Sequence, residues 1–176
     1  ILGQEINDWD FVCKFELISK FLKNIETKYI LFCDSHDVAI FQINGIIEKF
    51  QQLNCCAIFN AEYTFWPNLY FYQLHNTDDE LPFFIKCHKR EEAISIDSGC
   101  DIPMYLNSGV WLCSTDYAKY MLNTFDKNVL NKYKFEHSGK ICPNDQPFFR
   151  EIFHNCYPDI KLDYKSFLFQ TLVADF

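Results

Sequence analysis

The chain has 176 residues, of which 49% are apolar, 18% aromatic and 23% charged, a composition that excludes a disordered chain, a collagen and a coiled coil. Sixteen Lys and Arg against 24 Asp and Glu leave a net charge of −8, and Arg90 and Arg150 are the only arginines, so nucleic-acid binding, which needs clustered positive charge and guanidinium forks, is disfavoured. No apolar run reaches the ~18–20 residues of a membrane span, the first residues carry no signal-peptide pattern, and the length fits one soluble domain.

The elements follow in order. Residues 10–25 have helical spacing, with Phe11, Phe15, Ile18, Leu22 and Ile25 on one face and Lys14, Lys20 and Lys23 expected toward water. Tyr29–Cys33 is an apolar run of strand length, of the kind buried on both faces of a parallel sheet. It ends in Asp34-Ser35-His36-Asp37. Ile43–Leu53 returns to helical spacing, and Cys55–Phe59 is a second strand that ends in Asn60-Ala61-Glu62. From Tyr63 to Asp101 the pattern weakens and reads as loops and short irregular pieces. Met104–Cys113 resumes as a strand broken by Asn107-Ser108-Gly109. Ser114 or Thr115 then caps a helix to about Phe125, and Asn144 or Asp145 caps another to about His154, with Pro147 tolerated in its first turn. Ile160–Asp163 and Phe167–Leu172 are expected as closing strands. Strands alternating with helices predict an α/β layered domain, 1–176, with a mainly parallel sheet flanked by helices.

Nine cysteines are an odd number and form no C-x-x-C pair. Several sit inside apolar strings such as Leu31-Phe32-Cys33, so they read as buried, reduced thiols, with a disulfide or two as the alternative. A reducing, cytoplasmic compartment is favoured.

Asp34 and Asp37 are the first residues that composition does not explain. Side chains three apart on a strand point to opposite faces, so both carboxylates reach one ion only if the chain turns there. Strand ends of open α/β sheets are where ligands bind, and oxygen ligands suit Mg²⁺ or Mn²⁺. The alternative is one Asp capping the turn and the other solvated. Glu62 ends the next strand, as a site residue or a loop anchor. Asn107-Ser108-Gly109 marks either a simple bulge or a close approach of ligand or backbone. Asp145, beside Gln146, is either a helix cap or a substrate-facing carboxylate.

The segment Leu31-Phe32-Cys33-Asp34-Ser35-His36-Asp37-Val38 resembles the Asp-Ser-Tyr-Asp-Val signature of the glycosyltransferase domains of procollagen lysyl hydroxylases and their bacterial and viral relatives. In the same order, Asn60-Ala61-Glu62 is similar to that family's Ser-Ala-Glu and Trp66-Pro67 to its Trp-Pro. Tyr105-Leu106-Asn107-Ser108-Gly109 is similar to its Phe-Leu-Asn-Ser-Gly, Asp145-Gln146-Pro147-Phe148-Phe149 to its Asp-Gln-Leu-Phe-Tyr, and Leu162-Asp163 through Phe169-Gln170 to its Leu-Asp…Phe-Gln.

The resemblance implies a GT-A-like, Rossmann-like fold that moves a hexose from a UDP-sugar to a hydroxyl acceptor, of which hydroxylysine is the family's example, with Mn²⁺ or Mg²⁺. Asp34 and Asp37 would hold the metal. Asn107, Ser108 and Gly109 would line the donor sugar, Glu62 and Trp66 would form the pocket wall, and Asp145 with Gln146 would sit at the reacting groups. The family's opening Val-Ile-Thr-Val-Ala-Thr strand and its later His-Gly-Asn-Gly segment have no counterpart in these 176 residues, so a partial domain is expected. Two alternatives stand beside this reading: a degenerate transferase fold that only binds, and an aspartate-dependent phosphohydrolase.

Overall fold

The computed structural model describes residues 2–6, 11–35, 38–66, 81–124, 134–137 and 140–171. In chain order the elements are α1 (Phe11–Leu22), β1 (Tyr29–Cys33), α2 (Ile46–Gln52), β2 (Ala57–Glu62), α3 (Leu81–Asp97), β3 (Tyr105–Ser114), α4 (Thr115–Asn123), β4 (Lys134–His137), β5 (Lys140–Pro143), α5 (Gln146–Cys156) and β6 (Ile160–Leu162). The fold is mixed α/β. Four strands form one sheet in the order β1-β3-β2-β6, and β4 and β5 form a separate antiparallel hairpin.

The sheet is mixed where a mainly parallel one was expected. Strand β3 runs antiparallel to both β1 and β2, and only β2 and β6 pair in parallel. Apolar runs do not encode direction; they require only that both faces of the sheet be covered. Residues alternate between two cores. Ala57, Phe59, Ala61, Trp111 and Cys113 face one cluster with Phe15 and Ile18 of α1, Met121 of α4 and Phe149 and Phe153 of α5. Ile58, Val110 and Leu112 face the other with Phe50 of α2 and Phe169. Strand β1 is an edge strand with every residue half-buried, not one buried on both faces.

Two further expectations are corrected. The weak stretch from Tyr63 to Asp101 contains the 17-residue helix α3. Residues 167–171 form no strand; the Asp163 carboxylate instead accepts the backbone N–H groups of Phe167 at 2.8 Å, Leu168 at 2.6 Å and Phe169 at 2.7 Å, which curls the segment into a loop. Helix α4 is capped as expected, with Ser114 Oγ accepting from Tyr117 N at 3.2 Å.

Eight cysteines are free thiols among the described side chains. Cys87 and Cys113 are buried, Cys56 is exposed and the others lie between. Burial pushes the Cys87 thiol up to about 12. No helix among the described residues is long and apolar enough to cross a membrane.

Because β1 and β2 run the same way on either side of an opposed β3, the C-terminal ends of β1 and β2 and the N-terminal start of β3 meet at one edge of the sheet. The ladder also breaks there. Phe59 faces Trp111 but Asn60 faces Asn107, so Ser108, Gly109 and Val110 have no partner on β2. This bulge opens a cavity.

Candidate functional site

The cavity has a volume of about 780 Å³ and lies at that edge. Asp34, Glu62, Trp66, Asn107, Ser108, Gly109, Asp145 and Gln146 all line it, eight of the nine residues singled out in the sequence. The ninth, Asp37, lies outside the described residues, as do His36 and Pro67.

Asp34 follows the last residue of β1, and its N–H donates to Gly109 O at 2.7 Å, which prolongs the β1–β3 pairing by one bond. Its half-exposed carboxylate reaches Lys14 Nζ at 3.0 Å through Oδ1. The ammonium of Lys14 bonds Asp145 Oδ2 at 2.7 Å on its other side. Lys14 is only 4% exposed, and the expectation that it faces water is wrong. Its position contains the signal: it stands three residues after Phe11 and four before Ile18, within the apolar stripe of α1. Burial lowers the Lys14 pKa, but the charges of Asp145 and Asp34 and their hydrogen bonds more than reverse this, and the net effect is a rise.

Asp145 occupies the first position before α5 without capping it. Asn144 Oδ1 takes that role, accepting from Gln146 N at 3.1 Å. The Asp145 side chain, 3% exposed, turns to Lys14 and to Ser108 Oγ, which donates to its Oδ2 at 3.1 Å. Gln146 Oε1 accepts from Ser108 N at 3.1 Å, while its Nε2 donates to Trp66 O at 2.8 Å and lies 3.5 Å from Glu62 Oε1.

The Asn107-Ser108-Gly109 stretch is a bulge, the first of its two expected readings, and the groups packed against Gly109 are side-chain oxygens. Asn107 Nδ2 donates to Glu62 Oε2 at 3.1 Å, and Asn107 Oδ1 accepts from Gly109 N at 2.9 Å. A Cβ on Gly109 would stand 3.1 Å from Asn107 Oδ1 and 3.1 Å from Asp34 Oδ2. Burial pushes the Glu62 carboxyl above its ordinary value, against the hydrogen bonds of Asn107 and Gln146 and the charge of Arg150.

Behind this wall lies a second group that the sequence reading did not single out. Glu91 of α3 and Arg150 of α5 are both fully buried and paired at 2.9 Å. Their signal was weak, because Glu91 sits where a helix of this kind presents an apolar residue to the core.

The donor chemistry suits a hard divalent cation in part. Asp34 offers a carboxylate to the cavity, but no three His, Cys, Asp or Glu side chains converge on one point among the described residues. Further ligands would have to come from residues outside that set or from a bound phosphate. No protein-family model and no curated protein matches this chain.

Proposed function

We propose that the chain is a metal-dependent glycosyltransferase domain, of GT-A-like fold, that moves a hexose from a UDP-sugar to a hydroxyl acceptor. The observation that carries this reading is the meeting of Asp34, Glu62, Asn107 and Asp145, from four separate stretches of sequence, around one cavity at the strand ends. Its volume of about 780 Å³ lies within the range of small-molecule sites, roughly 300–1,000 Å³.

In this reading Asp34, with Asp37, holds Mn²⁺ or Mg²⁺. A divalent cation supplies the charge that offsets the negative charge growing on a departing diphosphate. Lys14 holds Asp34 and Asp145 at a fixed separation, so the two carboxylates are preorganised before a ligand arrives. Asp145 Oδ2 is engaged by Lys14 and Ser108, and its Oδ1 makes no hydrogen bond among the described residues. That oxygen is the one to accept from an acceptor hydroxyl and orient it. Gln146 fixes the Ser108 backbone, and Glu62 fixes Asn107 on the donor side.

A second reading, a transferase fold that binds without catalysing, draws on Lys14. An ammonium already placed between two carboxylates fills the electrostatic role of a cation there without any metal.

Calorimetry on the protein made from its complete coding sequence separates the two. The transferase reading expects saturable UDP binding that requires Mn²⁺ and weakens at least about tenfold in Asp34→Asn. Equal UDP binding with and without metal selects the second reading. No UDP binding under either condition overturns both.

A further inference from the structure

Glu91 spends both carboxylate oxygens inside the protein. Its Oε1 accepts from Arg150 Nε at 2.9 Å and lies 3.3 Å from His154 Nε2 without a hydrogen bond to it, and its Oε2 accepts from Leu106 N at 2.9 Å. Arg150 turns its other donors to two carbonyls: Nη1 to Trp66 O at 2.5 Å and Nη2 to Leu106 O at 3.5 Å. Its guanidinium lies 3.9 Å from the Phe65 ring centroid.

A buried ion pair is a weak source of stability, since apolar residues of similar volume often serve as well. The informative contacts are the two carbonyls. Trp66 lines the cavity and Leu106 immediately precedes Asn107, so one rigid fork ties two walls of the cavity to each other. Glu91 sets the orientation of that fork by holding Nε. Gln146, one turn earlier on the same face of α5, donates to the same Trp66 carbonyl at 2.8 Å. Lysine could not substitute, because a single ammonium lacks the planar spread of donors that spans Glu91 and both carbonyls.

We infer that Glu91 and Arg150 are positioning residues that fix the Trp66 wall relative to Asn107 and thereby set which ligand group fits against that wall. The placement of the wall stands on the ligand-free geometry; its consequence for sugar recognition rests on the transferase reading.

The test uses the protein labelled with 5-fluorotryptophan, which has three tryptophans, Trp9, Trp66 and Trp111. The Trp66 fluorine signal is assigned by its loss in Trp66→Phe. In Arg150→Lys, which keeps a cation against Glu91, the Trp66 signal is expected to shift or broaden while that of the core residue Trp111 stays in place. The double variant Glu91→Leu/Arg150→Met, which leaves no unpaired buried charge, should do the same. An unmoved Trp66 signal in folded Arg150→Lys overturns the inference, as does a Trp111 signal that moves as much as Trp66. In a second arm, Arg150→Lys is expected to weaken UDP-glucose or UDP-galactose about tenfold more than UDP. An equal loss for all three overturns the specificity half. A wild-type protein that binds none of them refutes the transferase reading, and the fluorine signals still decide the positioning role.

Discussion

A methyl group on Gly109 would press on two carboxamide and carboxylate oxygens at once, those of Asn107 and Asp34, each 3.1 Å away. Both are ends of side chains and can give by a few tenths of an ångström, so Gly109→Ala is expected to cost only about 1 kcal/mol in stability. The displaced atoms are the ones that face the cavity, and metal-dependent UDP affinity should fall by about tenfold, read by calorimetry, while the urea midpoint moves little. Lys14→Met acts on stability as well as on the site. It strips the counter-charge from Asp145, which is 3% exposed, and should destabilise the protein by about 3 kcal/mol in urea unfolding. Adding Asp145→Asn to Lys14→Met removes the stranded charge and should recover more than half of that loss; no recovery would refute a charge-pair role. Glu62 tests the cavity differently. Burial raises its carboxyl above the ordinary 4.5, so the folded state binds this proton more tightly than the unfolded chain does. Stability therefore declines as pH rises from about 4.5 through the folded value, and the cost is fully present above it. Glu62→Gln removes that cost. The variant should gain on wild type between pH 4.5 and pH 7, and a constant difference in urea midpoint at the two pH values would refute the assignment.

At the scale of elements, most of the chain was legible because apolar spacing and caps agree. Phe15, Ile18 and Leu22 of α1, and Ala118, Met121 and Leu122 of α4, are buried at helical intervals, and Ser114 caps α4 as its position before the helix predicts. Ser114→Ala should cost about 1 kcal/mol in urea unfolding and leave UDP binding unchanged, because Ser114 ends β3 while the cavity lies at the strand's start. Helix α3 was not legible, and the reason is on its buried face. That face reads Phe84, Cys87, Glu91 and Ser95, two of the four polar, so the apolar stripe that marks a helix is interrupted. Each polar residue there is satisfied in three dimensions, Glu91 by Arg150 and Leu106 N, and Ser95 Oγ by Met104 N at 2.9 Å. Lys14 was misread for the converse reason: a charged residue in an apolar stripe reads as solvated until its two carboxylate partners, 20 and 131 residues away, are brought to it.

At the scale of the whole molecule, the site exists because the sheet is both closed and interrupted. Trp111, Leu112 and Cys113 pair with β1 on one side and β2 on the other, and Trp111 is fully buried among Phe32, Phe59 and Phe149. From Val110 back to Ser108 the β2 partner is lost, and Gly109 is held by Asp34 N–H at its carbonyl and by Asn107 Oδ1 at its own N–H. Strand direction, which placed both aspartate-bearing and glutamate-bearing strand ends at one edge, was invisible in the sequence because alternation and apolar runs are the same read either way along a strand. The arrangement predicts a gradient of hydrogen exchange along β3. Amides from Trp111 to Cys113 should exchange only through global unfolding and share the largest protection in the chain, whereas those from Asn107 to Gly109 should open locally and exchange faster. Adding UDP with Mn²⁺ should slow both groups, the first by the ligand's full contribution to global stability because unfolding releases it, and the second by up to the same factor to the extent that opening of the bulge also releases it. Peptide-resolved exchange under conditions of moderate global stability tests this. Uniform protection along the whole of β3 without ligand would mean that the bulge is as rigid as the core, and that the cavity is a fixed recess in the sheet, not a loosened point that ligand binding tightens.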